Sequence, residues 1–468
     1  MKIMASNDLI KQVLSVQKLQ RERSQGIGPN IEERIAMLDK MKALLVEHEA
    51  QWLEALRKDL FKPQLEAYSS ELAVLLNEID YARKHLRSWM RPKTKRRILF
   101  TGVEKTKITF QPYGSILVIS PWNYPLQLAL MPVIGALAAG NGVVLKPSEF
   151  TPSVSHLLAD LIPEYFEKDT LTVIQGDAGV AKTLTALSWD FIVFTGSSET
   201  GRKVYEAAAR NLTPTLLELG GKNPCVLDVG SLSKENIRKI VWGKFLNAGQ
   251  SCIAPDTVYV PEEIYPKVLE MIKEVLIEFY GELPENSESF GRLIHAQHFE
   301  KVSSFLKEET IYHGGHVIEN ERYIEPTILV DIDPNQPVLK EEIFGPILPV
   351  IPYSSISELI NNLKEQPTPL VSYLFSDNTT WLKKMGTAWE SGSVSVNEVI
   401  IHAASPNIAF GGKGQSGLGR YHGKHSFTTF TYEKSFYSRV SPVSFSAQYP
   451  PYTDKALTVL RRMRRKLF

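Results

Sequence analysis

Cys252 stands in the stretch FLNAGQSCIA, Phe245 to Ala254, and is one of only two cysteines in the chain. Gly249 lies three residues before it, and an apolar helical run, Ile237 to Leu246, leads in. That order puts the thiol where a helix gives way to an open loop. A lone cysteine is ordinarily a small buried apolar residue. At a helix break, backbone N–H donors can instead favour the thiolate, which is the nucleophilic form. Glu218, in LLELGGKNP (Leu216 to Pro224), is a second group with chemistry to offer. A carboxylate on an apolar strand end is costly unless it is paired or functional. Burial would raise its pKa toward neutrality, where a general base works best; a salt-bridged structural glutamate is the plainer reading. Third comes FTGSSETG, Phe194 to Gly201. A strand ending at Phe194 and a helix opening near Gly201 put Gly196 and Ser197 by a helix N-terminus. Small side chains and backbone N–H groups there suit a pyrophosphate.

Two other patterns carry less. A formal G-x-G-x-x-G at Gly412, Gly414 and Gly417 has no strand before it at the right distance, so it is not read as a dinucleotide turn. His313 and His316, in HGGH, lack a third ligand in view, so no metal is expected.

The three chemical stretches resemble those of aldehyde dehydrogenases. FLNAGQSCIA matches F-x-N-x-G-Q-x-C-x-A at every defined position, LLELGGKNP contains E-L-G-G-K, and the separation 252 − 218 = 34 also fits. FTGSSETG resembles the F-T-G-S-x-x-x-G cofactor motif. Phe410 to Gly419 resembles F-G-G-x-x-x-S-G-x-G, a segment near the substrate entrance. The resemblance implies that Cys252 attacks the aldehyde carbon and that Glu218 activates the water that releases the acid. It assigns Asn123, in SPWNYP, to the oxyanion hole beside the Cys252 backbone N–H; a turn-capping asparagine is the alternative. Lys146 and Glu149, in KPSEFTP, resemble the pair around the adenosine ribose. Glu149 favours NAD and Lys146 tolerates a 2′-phosphate, so NAD and NADP both stay open. Glu342 and Phe344, in EEIFGP, resemble the residues at the nicotinamide ribose. With Gly196, Ser197 and Gly201 they complete the expected cofactor set.

Four features resemble the class 3 branch in particular: a short N-terminus, LEAYSSEL (Leu65 to Leu72), YHGKHSF (Tyr421 to Phe427) and YPPY (Tyr449 to Tyr452). That branch implies a homodimer oxidising medium- and long-chain aliphatic or aromatic aldehydes with NAD or NADP. Two rivals are a cofactor-independent cysteine esterase and a non-catalytic binding protein on the same fold. Passing the acyl group to coenzyme A would not need Glu218.

These residues need elements to hold them. SILVIS (115–120), GVVLK (142–146), LTVI (171–174) and FIVF (191–194) alternate with helical stretches near 126–139, 152–162, 178–186 and 200–210. Such alternation predicts βαβ units and an α/β fold with a Rossmann-like parallel sheet. A second α/β block carries TVYV, ILPV, LVSYLF and SVSV. The expected organisation is a coenzyme domain with N-terminal cover helices (1–218), a catalytic thiol domain (219–410), a return segment with bridging, oligomerising strands (411–447) and a basic tail (448–468). Residues 31–60 and 72–89 read as two cover helices without chemistry, and Arg91 to Lys107 as a solvated basic connector. Residues 425–447 read as edge strands.

Length and composition agree with this. At 468 residues, two or three domains are expected, and 43% hydrophobic with 22% charged residues is ordinary for a soluble enzyme. Net charge +1 gives no reason to invoke nucleic acid. Two cysteines imply a reducing, cytoplasmic setting without a disulfide framework. Leu126 to Leu145 is apolar but broken by Pro132, Gly135 and Gly140, so it reads as helix, turn and strand before it reads as a membrane span. In the tail, Leu457, Leu460, Met463 and Leu467 recur at helical spacing among Arg461, Arg462, Arg464, Arg465 and Lys466. That face could lie on an anionic membrane surface, pack on the enzyme's entrance or fray.

Overall fold

The short β-branched runs from Ser115 onward become strands because they are apolar on both faces and punctuated by turn residues. In the computed structural model, which describes residues 6–99, 102–307, 309–439 and 449–467, they form an α/β architecture. For residues 6, 96–99, 102–104 and 463–467 only the backbone is described. The first sheet runs Thr215–Leu219, Phe191–Gly196, Ser115–Ile119, Gly142–Lys146, Leu171–Val173, all parallel, with Gly417–Leu418 antiparallel on the outer edge. Strand order reverses at Ser115–Ile119. The loops after that strand and after Phe191–Gly196 therefore flank the crevice where such sheets bind ligands. They carry Asn123 and the Gly196–Ser197 turn.

A second sheet holds Thr327–Val330, Ile347–Tyr353, Thr257–Pro261, Pro224–Leu227, Val371–Phe375 and Ser393–Val396 in parallel, with Thr310–His313 antiparallel at one edge. The cover helices are Ser6–Arg23, Ile31–Glu47, Glu49–Leu60 and Ala73–Trp89. The pattern over 31–60 breaks at His48, and Ser6–Arg23 adds a further cover helix with Leu9, Val13 and Val16 buried at helical spacing.

The basic connector is corrected. Lys93–Leu99 and Gly102–Pro112 form a long antiparallel hairpin, and Thr431–Arg439 pairs along its second strand. Charge at exposed positions hid the alternation of strand-favouring residues Thr106, Ile108 and Phe110. Residues 425–447 are likewise only part strand: Gly423–Thr429 is helical, Thr431–Arg439 is the strand, and 440–447 lie outside the described residues.

One helix matters most for the site. Gln127–Ala139 is apolar all round and almost wholly buried, as expected of a helix enclosed on every side. It ends at Gly140, and Gly142–Lys146 follows as the strand read from the sequence. Among the described residues no helix is long and apolar enough to cross a membrane. The carbonyls at its C-terminal end are taken up by a buried arginine. Arg34 donates to Ala139 O (2.7 Å) and Ala138 O (3.3 Å), and also to Pro29 O and Ile27 O. Replacing Arg34 with Met should leave these carbonyls unpaired, at about 1–3 kcal/mol each for those kept from water. Differential scanning calorimetry should show the midpoint of Arg34→Met several degrees lower.

Candidate active site

The helix Lys234–Phe245 stops just before the catalytic stretch, as its apolar run predicts. Asn247, Ala248 and Gly249 then all adopt left-handed backbone, with φ of 51°, 52° and 76°. For the two residues that carry a Cβ this costs roughly 1–2 kcal/mol each. Gly249 has no alternative, because a Cβ there would run into the Gly345 carbonyl. Gln250 holds the turn. Its amide donates to Asn247 O and Arg292 O, and its oxygen accepts from Ile294 N, all at 3.0 Å. Glu66 accepts the Asn247 N–H at 2.9 Å. Beyond Cys252, Asn223 donates to the carbonyls of Cys252 (2.8 Å) and Ala254 (3.0 Å). The half-buried thiol is thus carried on a loop braced from both sides. Both cysteines are free.

Asn123 lies in the loop after Ser115–Ile119 and is buried. Its side-chain amide donates to Gln250 O at 3.1 Å, which brings it to the cysteine loop. Glu218 lies on Thr215–Leu219, is 3% exposed, and neither carboxylate oxygen has a hydrogen-bond partner in the protein. Gly417 pairs opposite it. The late glycine segment therefore walls in this carboxylate and makes no phosphate turn.

On one side of Cys252 opens a cavity of about 400 Å³ lined by Trp122, Gly196, Ser197, Glu342 and Phe344, among others. Ser197 caps the helix Ser198–Ala209, accepting from Thr200 N. Gly201 is not part of this lining; it lies inside that helix, buried against Leu219. Lys146 and Glu149 are also outside it. They pair with each other at 2.5 Å, Lys146 closing the neighbouring strand Gly142–Lys146 and Glu149 standing in the loop after it. Glu342 folds over Gly220, where a side chain would collide with its carboxylate, and its Oε1 is buried without a partner. Phe344 packs edge-on against Trp122 at 5.4 Å. His298 joins them, with Nε2 2.9 Å from Phe344 O. Sequence reasoning missed Trp122 and His298. The spacing of His295 and His298 across a helix start was the available signal.

On the other side, Cys252 and Glu218 also line a predominantly apolar cavity of about 320 Å³. Tyr124, Trp242, Ile401, Phe410 and Tyr421 form its walls, with His422. Nothing in the sequence marked Trp242 or Ile401, which come from distant segments.

A polar crevice at a sheet's switch point, an apolar cavity and one cysteine shared by both are now in place. A model of the aldehyde dehydrogenase family matches residues 28–436. The chain belongs to the aldehyde dehydrogenase family. Relatives named as family 3 members put it in the class 3 branch. It is 49% identical over 421 residues to the 4,4'-diapolycopene-4,4'-dial dehydrogenase of Cytobacillus firmus, covering 90% of this chain and 93% of that one. It is 40% identical over 424 residues to the mouse "Aldehyde dehydrogenase, dimeric NADP-preferring", covering 90% and 94%. The substrate-bound structure of Staphylococcus aureus AldH superposes with a TM-score of 0.91 at 37% identity, covering 99% of this chain and all of that one. This aldehyde dehydrogenase oxidises aldehydes to carboxylic acids with NAD(P).

The electrostatics of this aldehyde dehydrogenase correct one expectation. With protein groups alone around it, Cys252 is not biased to thiolate. Burial, then Glu342, then Glu218 push the thiol well above its ordinary range, and its own backbone N–H only partly opposes them. Burial, with Asp256 next, raises Glu342 to about 8. Burial raises Glu218 far above the usual carboxylate range, against Arg420. Raised to about 8, Glu342 holds its proton at neutral pH and gains charge as pH rises. Above about pH 8 the Glu342 charge therefore works against the thiolate. In cofactor-free Glu342→Gln, the pH profile of Cys252 alkylation by iodoacetamide should move to lower pH. A profile that stays put or moves up would show that this carboxylate does not act on the thiol.

Proposed function

We propose that Cys252 is the nucleophile, Glu218 the base for deacylation and Asn123 an oxyanion donor. The observation that carries this reading is that Cys252 and Glu218 line both cavities, so they can act on one carbon reached from both sides. The Cys252 thiol gives up its proton to solvent as the sulfur adds to the aldehyde carbon, and the alkoxide of the thiohemiacetal accepts hydrogen bonds from the Asn123 amide and the Cys252 backbone N–H. One such donor is typically worth about 2.7–4 kcal/mol in the transition state. Gly196, Ser197, Lys146, Glu149, Glu342 and Phe344 would hold NAD(P), with Gly201 acting through packing. The unpartnered Glu342 oxygen and the capped helix N-terminus fit ribose hydroxyls and a pyrophosphate. When bound, NAD(P) supplies the hydride acceptor. The acyl group is then a thioester on Cys252, and Glu218 takes the proton of the water that cleaves it.

The apolar walls favour medium- and long-chain aliphatic or aromatic aldehydes. One relative is named for 4,4'-diapolycopene-4,4'-dial, so that aldehyde belongs in the substrate screen. The mouse relative's name supports a homodimer, as does the outer edge of Thr431–Arg439, which no other described strand pairs. We keep the division into coenzyme (1–218) and thiol (219–410) domains, a bridging element and a tail, and a cytoplasmic setting.

Glu218→Gln keeps size and polarity but cannot accept a proton. Losing a general base costs about 10²–10⁴ in rate, enough to make deacylation limiting. Rapid mixing of this variant with aldehyde and NAD should give a burst of reduced nicotinamide near one per site, then almost no turnover. Mass spectrometry should find the acyl group on Cys252. Absence of a burst with cofactor still bound would assign Glu218 to thiol activation; ordinary turnover would mean another base.

Peripheral membrane contact is a separate part of the proposal. The terminal helix Asp454–Leu467 leaves Leu457 and Val459 exposed beside Arg461 and Arg462. Each basic residue near an anionic surface adds about 1 kcal/mol. Flotation with anionic liposomes should show salt-sensitive binding that is lost when 455–468 are removed. No binding at low salt would end the idea.

A further inference from the structure

The cover-helix segment from Lys62 to Glu71 does more than cover. Lys62 and Glu71 have fully buried side chains, and their ion pair measures 2.6 Å. Neither neutralises the other idly, because each has a second partner close to the reacting centre. The Lys62 ammonium also donates to Asn123 O at 3.2 Å and lies 4.2 Å from the Tyr124 ring centroid. The second Glu71 oxygen accepts from Leu126 N (2.9 Å) and Gln127 N (3.0 Å), the free donors at the start of the buried helix Gln127–Ala139. Asn123 is therefore gripped at its own carbonyl by Lys62, and Glu71 grips the chain three and four residues later. Asn247, from the cysteine loop, donates to the same Asn123 carbonyl at 2.8 Å. Glu66 accepts the backbone N–H of Asn247. One short stretch, which runs into the π-helical turn Tyr68–Leu72, thus touches both the Asn123 loop and the cysteine loop.

We propose that Lys62, held by Glu71, is a positioning residue for aldehyde oxidation: it fixes the Asn123 carbonyl, and through it the side-chain amide, relative to Cys252. A buried ion pair is poor evidence of stability, since replacing both charges together is often neutral. Here each partner spends its remaining hydrogen bonds on the loop that carries Asn123. Misplacing such a donor by about an ångström can cost on the order of 10²-fold in rate. The proposal rests on Asn123 being the oxyanion donor, and the test separates the two.

Full-length Lys62→Met, Asn123→Ala and the double variant would be compared in NAD(P)-dependent aldehyde oxidation and in cofactor-free hydrolysis of p-nitrophenyl acetate. NAD(P) binding would be followed by calorimetry. Lys62→Met should lower kcat by about tenfold or more in both reactions, with KM little changed. Its NAD(P) affinity should stay within about twofold, because sites that share no partner do not couple. In the Asn123→Ala background the same change should add less than about threefold, since the donor to be positioned is already gone. Multiplicative losses, or a parallel fall in cofactor affinity, would reduce Lys62 to a general structural residue and overturn the proposal. If Asn123→Ala alone keeps full activity, the oxyanion assignment fails and the positioning role falls with it. Should Lys62→Met not fold, Lys62→Met/Glu71→Gln, which removes both charges, is read in its place. Failure of both to fold would make the pair a stability element only, and the proposal would be wrong.

Discussion

Burial and the carboxylates of Glu342 and Glu218 hold the Cys252 sulfur in its protonated form, and most of the site can be understood from that one constraint. A sulfur among raised carboxylates is quiet until positive charge or a proton acceptor reaches it. The crevice on one side, with its glycine turn and helix N-terminus, is where a positively charged nicotinamide ring would approach. The cavity on the other side is apolar and offers no counter-charge. Loading the polar side would therefore raise the reactivity of the half-buried thiol above its cofactor-free level.

Holding those groups together is work for side chains far from the chemistry. Lys222, in the glycine turn after Glu218, pairs with Asp256 and donates to Val338 O and Glu341 O. Asp256 also accepts the Ile343 N–H at 3.0 Å. This buried pair clamps the loop on which Glu342 and Phe344 stand. The cysteine loop depends on Gln250 in the same manner, and the Asn123 loop on Glu71 and Arg34 at the two ends of one helix. In each case a buried polar group satisfies backbone atoms that the turn leaves unpaired. The reacting residues are exact in placement because their loops have no unpaired alternative.

How much of this was legible in the sequence depended on whether the signal was local. The strands around Ser115–Ile119 and Gly142–Lys146 were readable because apolar β-branched runs end in turn residues. Cys252, Glu218 and Asn123 sat in short motifs with chemistry written into their types. Lys62 and Glu71 were invisible, because a charged residue in a helix connection or on a helical turn is ordinarily solvated. Only the third dimension shows that these two point inward. The hairpin at 93–112 was lost for a related reason: its lysines and arginines masked the alternation beneath. The thiol's charge state was misjudged because it depends first on burial and then on Glu342, ninety residues later in the chain, and a local reading sees only the helix end.

The strand Gly417–Leu418 completes the first sheet, although the rest of that sheet is finished by Leu219. Without it, Thr215–Leu219 would be the outer strand and Glu218 would stand on an open sheet edge. The wall around this carboxylate is supplied by chain that lies about two hundred residues later. The burial that raises Glu218 is therefore set by the late glycine segment, remote in sequence from the carboxylate itself.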